Sequence, residues 1–471
     1  MCGVVGVVGS EPVAPALLLG LQAMQHRGQD AAGIGVFNQG RILVKKDLGM
    51  ITSVFDQDSL DALPGGVGLS HVRYPTTGST ATAEDAQPFL SRRPGLLLAH
   101  NGNLFNKDQL NAELMKEGLH VLSQCDAETL LMIMAQAMTV ERPANHTLED
   151  LVRAVEACFR RAKGAYTVAL AMELDGEEVL GAFRDPHGIR PGVYGRKGDD
   201  WMVASESVAL DVLGFKKMGD LPAGSLMVFR QGQEPIVRKI APKSPRPCVF
   251  ERIYFARPDS LMEDGRVNRT RWLLGRALAK EWTKKGLEAD VVMAVPDTSR
   301  PAAMAIAEAL SLPNREGFIK NRYSGRTFIM PDQSTRDAAL RLKLNPIPEM
   351  FEGKRVLLID DSVVRGSTMR RIVEMIRGLS PKEVHLGIFS PPVTHPCFYG
   401  IDMPSADELI AARMNEEELA VHFGADSVTY LSVEGMKAVS GQAVCSACFS
   451  GDYVVPIDAE ERRVINAQRR P

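Results

Sequence analysis

The most informative stretch for chemistry is 356–368, VLLIDDSVVRGST. A hydrophobic run ends in two acids, crosses a short loop of glycine and hydroxyl residues, and enters the helix-like TMRRIVEMIRGL. Backbone N–H groups in such a loop, with a helix N-terminus behind them, bind phosphate. Ser362, Ser367 and Thr368 can add hydroxyl donors, and Asp360 and Asp361 can accept from vicinal sugar hydroxyls or reach a magnesium ion. The competing reading is a capped strand–helix turn with two surface acids. Acids beside a phosphate loop, however, make little sense without a sugar or a cation.

A second chemical centre lies at the N-terminus. Cys2 follows Met1 directly, so removal of Met1 would leave a thiol and a free α-amine on one residue. An α-amine titrates near pH ~8 and can take up the thiol proton. Taken alone, Cys2 reads sooner as a buried residue of an edge strand than as a nucleophile. HNGN (100–103) offers the Asn101 amide beside the Gly102 N–H, donors suited to a tetrahedral oxyanion. Arg73 in SHVRYPTTG could hold a carboxylate or form a surface ion pair. Asp126 in CDAE could hold an ammonium group or cap a helix.

The other cysteines matter less or differently. The chain has seven, an odd and scattered set that argues against a disulfide framework. Cys445 and Cys448 form CSAC, while Cys248 and Cys397 stand in RPCVF and THPCFYG. Four thiolates can hold zinc or an iron–sulfur cluster, and a lone CxxC can also be redox-active or accidental. Cys125 and Cys158 read as structural.

The elements that must position these groups divide the chain in two. CGVVGVVG, GIGVF, VGLSHVRY and GLLLAHNG read as short strands, residues 14–25 and 148–163 as helices, and YTVALAMEL, EVLGAFRD and WMVASES as further strands. That mixed order predicts an α+β layered domain over residues 2–240. APKSPRP (241–247) is a proline-rich break. Beyond it, strands alternate with helices through ADVVMAVPD, PAAMAIAEAL, KRVLLIDD and EVHLGIF, which predicts a parallel α/β sheet over 248–430. The tail, 431–471, carries the CxxC, and the chain from about 405 reads as helical and then irregular. At 471 residues two domains are the default. Basic and acidic residues are interspersed and nearly balanced at net −3, so no basic face for nucleic acid is expected. No run is long enough to span a membrane and no secretory signal opens the chain, so a soluble cytoplasmic protein is expected, with nothing to remove beyond Met1.

In order, CGVVG, QHRGQDAAGIG, SHVRYPTTG, HNGN, CDAE and RDPHGIRP with ASES resemble the glutaminase domain of class II, N-terminal nucleophile (Ntn), glutamine amidotransferases. The resemblance implies an αββα sandwich. It makes Cys2 the nucleophile and its amine the base, with Asn101 and Gly102 as the oxyanion hole. Arg73 and Asp126 would bind the glutamine carboxylate and ammonium, and Arg27 and Thr76 would line the same pocket. Cys125 and Ala127 depart from the hydroxyl residues usual at their positions.

VLLIDDSVVRGST resembles the phosphoribosyl pyrophosphate motif of type I phosphoribosyltransferases. That likeness assigns Asp360 and Asp361 to the ribose, and Ser362, Val363, Arg365, Gly366, Ser367 and Thr368 to the 5′-phosphate. VPDTSRPAA (295–303) resembles the pyrophosphate loop, placing Asp297 and Ser299 near the pyrophosphate, with Mg2+ on Thr298, Asp360 and Asp361. KNRYSGRTFIMP (320–331) with RLKL (341–344) resembles the loop that closes over the reactants, where Arg322, Arg341 and Lys343 would neutralise pyrophosphate; a solvated loop is the competing reading.

Together the halves, with FERIYFARPDS (250–260), resemble the glutamine phosphoribosylpyrophosphate amidotransferase family nearly end to end. The resemblance implies that glutamine, water and phosphoribosyl pyrophosphate give 5-phosphoribosylamine, pyrophosphate and glutamate, the first committed step of de novo purine synthesis. It also implies feedback inhibition by purine nucleotides, a homotetramer, and a [4Fe–4S] cluster on Cys248, Cys397, Cys445 and Cys448, as in the cluster-bearing branch. Ammonia would pass between the sites by a dry, apolar route. Sister amidotransferases would lack IDDSVVRGST. The alternative from another class is a catalytically inactive phosphoribosyl-binding nucleotide sensor.

Overall fold

The computed structural model describes residues 2–74, 82–139, 145–263, 265–321, 344–458, 461–463 and 465. The first half builds two antiparallel sheets. One has seven strands in the order Lys216–Asp220, Val193–Lys197, Asp200–Ala204, Gly3–Val8, Val67–Arg73, Ala31–Asn38, Arg41–Leu48. The other has six, in the order Ile236–Lys239, Ser225–Phe229, Glu177–Arg184, Gly164–Leu174, Gly95–Leu104, Phe89–Arg92.

Alternation along the strands explains the layering. Val4 and Val8 join Leu69, Leu97, Ala171 and Leu180 in the core between the sheets. Val5 and Val7, one residue out of phase, join Leu17, Leu21 and Leu210 beneath the helices Ala14–Ala23 and Val208–Leu213. The helices Asp126–Thr139 and Leu148–Arg161 cover the six-stranded sheet. The latter starts with a capping box between Thr147 and Asp150. The first half is thus an αββα sandwich, two helical layers enclosing two sheets.

The proline-rich stretch 241–247 carries no helix or strand. After it, a four-stranded parallel sheet runs Val291–Ala294, Arg355–Asp360, Glu383–Ile388, Ser427–Tyr430. Its strands are buried on both faces. Leu357 and Ile359 pack with Leu274, Leu278 and Ile306 on one side, while Val356 and Leu358 pack with Ile372, Val373 and Ile376 on the other. The strand Ser427–Tyr430 lies inside the stretch read from sequence as helical. Four residues between two helices are too short for a visible period, and pairing with Glu383–Ile388 decides their state.

Candidate functional site

Cys2 directly precedes the Gly3–Val8 strand and is buried. Its N–H meets the Asn101 Oδ1 at 3.3 Å, and its Sγ lies 3.8 Å from the Tyr74 carbonyl oxygen. Asn101 and Gly102 belong to the strand Gly95–Leu104, which faces the nucleophile from the other sheet. With Oδ1 engaged, the fully buried Asn101 Nδ2 has no hydrogen-bond partner among the described residues. At Gly102 a Cβ would lie 2.2 Å from the Ala165 carbonyl oxygen, so only glycine lets the two strands approach.

A cavity of about 110 Å³ is walled by Cys2, Arg73, His100, Gly102 and Asp126, completed by Tyr74, Gln87, Lys107, Gln124 and Cys125. Arg73 and His100 of this wall each face a carboxylate. Arg73 Nη1 lies 3.3 Å from Asp85 Oδ2, and His100 Nε2 lies 3.2 Å from Asp126 Oδ1. The other Asp126 oxygen accepts from the Leu104 N–H at 2.7 Å. Burial opposes both charges of the His100–Asp126 pair, yet their mutual attraction prevails, raising His100 and lowering Asp126. His71, fully buried, is held well below the ordinary histidine range by burial and then by His100. Of the acids in CDAE only Asp126 faces the cavity; Glu128 accepts from the Leu122 and Ser123 N–H groups at 3.1 and 2.6 Å and closes the preceding loop.

Arg27, expected to line the same pocket, lies directly against Cys2. Arg27 is fully buried outside the cavity wall. Its Nε donates to the Cys2 carbonyl at 3.0 Å, and its remaining nitrogens pair with Glu206 and Glu251. It sits under the backbone of Cys2. Thr76 lies outside the described residues.

The second site forms at the carboxyl end of the parallel sheet. The strand Arg355–Asp360 ends at the acid pair, and Gly366, with φ 81°, caps the helix Ser367–Arg377. A side chain there would meet Ile410 and Phe423 at 2.8 and 2.9 Å, so glycine is required by conformation and by packing. Ser299 is fully buried and donates to Asp360 Oδ1 at 3.1 Å, tying the 295–303 loop to the acid pair. The Asp361 N–H donates to the same Asp360 oxygen at 2.9 Å, and the Ser362 hydroxyl donates to Asp361 at 2.5 Å. Burial, then Asp361, pushes Asp360 well above the usual carboxylate range, and burial lifts Asp361 to about 6.

The other predicted residues spread around this pair. Thr298 is half-buried, Val363 is buried, and Ser367 and Thr368 open the helix with exposed side chains. Asp297 is exposed and engaged by Lys320 at 2.6 Å. Arg365 is exposed and pairs with Glu408 at 2.8 Å. Arg322, Arg341 and Lys343 lie outside the described residues.

Family models meet both halves: a glutamine amidotransferase domain over residues 72–212, and a phosphoribosyl transferase domain over 270–390. The chain is 44% identical to the amidophosphoribosyltransferase of Pseudomonas aeruginosa, over 96% of its own length and 93% of that protein. It is 41% identical to that of Archaeoglobus fulgidus, over 98% and 99%. The chain belongs to the amidophosphoribosyltransferase family. Among solved structures, the glutamine phosphoribosylpyrophosphate amidotransferase of B. subtilis complexed with ADP and GMP aligns with a TM-score of 0.86 at 38% identity, covering 98% of each chain. A structure described as the allosteric regulatory enzyme of purine biosynthesis aligns at 0.88 and 36% identity, covering 100% of this chain and 99% of that one.

Within that family frame Cys248, Cys397, Cys445 and Cys448 share one core. Cys248 and Cys445 form an isolated bridge, with the Val249 N–H on the Cys445 carbonyl at 3.2 Å and the Cys445 N–H on the Pro247 carbonyl at 2.9 Å. The Cys448 carbonyl accepts from the Thr394 and His395 N–H groups at 3.0 Å, which brings in the Cys397 loop. All four are buried and none forms a disulfide. Burial first, and neighbouring sulfurs next, raise the Cys445 and Cys448 thiols. Among the described residues no three His, Cys, Asp or Glu side chains close on a point that could hold one metal ion, and no helix is long and apolar enough to cross a membrane.

Sequence reasoning missed Gln87, whose Oε1 accepts from the His100 N–H at 2.7 Å and whose Nε2 lies 3.5 Å from Cys125 Sγ. It also gave no role to His100, although HNGN contains it. The signal in both cases is a polar residue inside an apolar run, which gains meaning only when the sheets pair.

Proposed function

We propose that this chain hydrolyses glutamine at Cys2 and passes the ammonia to phosphoribosyl pyrophosphate bound at Asp360 and Asp361, giving 5-phosphoribosylamine, pyrophosphate and glutamate as the first step of purine synthesis. The observation that carries the glutaminase half is the Asn101 Nδ2, buried beside Cys2 and without a partner among the described residues. A buried donor without a partner is costly unless an acceptor arrives, and a tetrahedral oxyanion is such an acceptor.

The thiol of Cys2 transfers its proton to the α-amine freed by loss of Met1, and the sulfur attacks the glutamine amide carbon. Asn101 Nδ2 and the Gly102 N–H hold the oxyanion. Arg73 takes the glutamine carboxylate and Asp126 its ammonium, and Thr76 is assigned to glutamine binding by the family resemblance alone. Ammonia leaves with the proton, and water then cleaves the glutamyl thioester. At the second site Asp360 and Asp361 accept from the ribose hydroxyls, residues 362–368 cradle the 5′-phosphate, and Asp297 and Ser299 flank the pyrophosphate. Arg322, Arg341 and Lys343 cover the leaving group. Mg2+, held by Thr298, Asp360 and Asp361 together with phosphate oxygens, would neutralise the charge on departing pyrophosphate. The acid pair fits a cation, because two adjacent carboxylates, Asp361 buried and Asp360 half-buried, resist ionisation without one.

We place the domain boundary in 241–247 and the tail from 431. Cys248, Cys397, Cys445 and Cys448 would hold a [4Fe–4S] cluster: four buried thiols from three segments that share one core. Ligation would replace protons that burial now retains. Such a cluster would tie linker, loop and tail together, and no step of the reaction needs its electrons. Purine nucleotides as inhibitors, a homotetramer and a cytoplasmic location complete the reading; the B. subtilis complex with ADP and GMP supports the first.

The test is a Cys2→Ala variant. It is expected to lose glutamine-dependent pyrophosphate release by about a thousandfold or more, while ammonium salts restore release at the intact second site. Glutamine-driven release surviving in the variant would contradict the assignment. Absence of release from the native protein with either nitrogen source would favour the nucleotide sensor.

A further inference from the structure

The motif ASES, residues 204–207, has no part in the chemistry above. The structure uses all three of its polar side chains, each essentially solvent-free. Ser205 grips the strand that follows Cys2: its N–H donates to the Val4 carbonyl at 3.0 Å, and its hydroxyl accepts from the Val4 N–H at 3.1 Å. The Ser207 hydroxyl accepts from the Leu261 N–H at 2.8 Å. Glu206, between them, faces both ways. Its Oε1 lies 2.7 Å from His26 Nε2 and accepts from Arg27 Nη1. Its Oε2 accepts from the Arg257 N–H at 2.9 Å and from the Ser260 hydroxyl at 2.5 Å.

Burial opposes the charge of Glu206, but His26 and then Arg27 outweigh it and hold the carboxyl below the usual carboxylate range. An ionised carboxylate only accepts, so it can serve two neighbours at each oxygen. A glutamine of the same shape would turn N–H bonds toward one of these pairs and leave buried donors facing each other. The arrangement reaches Cys2 through a single residue. Arg27 Nε donates to the Cys2 carbonyl at 3.0 Å, while Glu206 and Glu251 take its other two nitrogens. A guanidinium held on all three nitrogens is fixed in place. Glu251, Arg257 and Ser260 all belong to 251–260, so the backbone of Cys2 is seated, by way of Arg27, on the segment that opens the second half.

We propose that Glu206 is a positioning residue for Cys2. By locking Arg27 against residues 257–260, it holds the Cys2 carbonyl, and with it the thiol, where Asn101 and Gly102 can receive the oxyanion. This rests on the reading of Cys2 as the glutaminase nucleophile.

The experiment measures glutamate release over a range of glutamine concentrations, in full-length protein freed of Met1. Glu206→Gln is expected to lower kcat about tenfold, since small misplacements of a reacting group cost rates of this order. KM for glutamine should stay within about twofold of native, because Glu206 lies outside the cavity wall. Ser260→Ala removes one donor from the far oxygen and should lower kcat about threefold, again at unchanged KM. Thr147→Ala breaks the capping box of the helix Leu148–Arg161 and serves as the control: it should lower Tm and leave kcat native. A native kcat in Glu206→Gln, a rise in KM in place of the fall in kcat, or an equal fall in kcat in Thr147→Ala would overturn the proposal. Should Glu206→Gln fail to fold, Ser260→Ala decides, and a native kcat there overturns it. A native chain that releases no glutamate would overturn the nucleophile reading and this proposal with it. The native rate separates that failure from the others.

Discussion

The two candidate sites handle charge in opposite ways. Around Cys2 each charged group meets a counterpart in the protein: Arg73 with Asp85, His100 with Asp126, Arg27 with Glu206 and Glu251. At the end of the parallel sheet two carboxylates stand side by side, linked through an N–H and serine hydroxyls, and both are driven toward protonation. The first site is set in its working geometry by the fold, as a site that stabilises a developing oxyanion requires. The second is a pair of acids whose charge must be balanced by what binds there. One suits chemistry on a small neutral amide; the other suits a sugar phosphate that brings its own cation.

The sharpest break of this contrast is at Asn101. Asn101→Ala removes a preset donor and is expected to lower kcat for glutamate release by about 10²–10³-fold with little change in KM. Steady-state kinetics on glutamine alone measure this; a rise in KM at constant kcat would assign Asn101 to substrate binding instead.

A smaller and opposite effect is expected at Asp361. Its folded pKa of about 6 lies above the roughly 4 of an unfolded carboxyl. The folded state therefore holds the proton more tightly, and stability is lost as pH rises from about 4 to about 6. Asp361→Asn should remove that slope and raise the ligand-free Tm at pH 7.5 by about 2–4 °C, while phosphoribosyl pyrophosphate binding weakens about tenfold. Thermal melts across pH, paired with binding titrations, check both signs. A variant that melts lower at pH 7.5 would show that the acid is paired in the free protein, and the contrast between the sites would dissolve.

The second site was the more legible of the two in sequence. Its strand, acids, loop and helix are contiguous, so VLLIDDSVVRGST shows phosphate chemistry before any packing is known. Gly366 could be read as a loop glycine, although its contacts with Ile410 and Phe423 could not. The Cys2 site is assembled from segments far apart in the chain, Cys2 and Asn101 being 99 residues apart, and only the family resemblance brought its parts together. Arg27 was expected in the pocket, and the structure shows it fully buried against the Cys2 carbonyl. Its partners Glu206 and Glu251 are 179 and 224 residues away, a distance no local pattern bridges. Gln87 and His100 escaped for the same reason: their mutual contact follows from the pairing of Phe89–Arg92 with Gly95–Leu104. The strand Ser427–Tyr430 was lost because its state comes from its neighbour.

The central claim is that one chain joins a glutaminase to a phosphoribosyl site. It is tested most directly by glutamate release from glutamine in anaerobically purified protein, with and without phosphoribosyl pyrophosphate and magnesium. The account predicts strong stimulation by the sugar phosphate, absent in Cys2→Ala and weakened in Asp361→Asn. Release from the native protein that ignores the sugar phosphate would leave a glutaminase standing and contradict the coupling of the two sites.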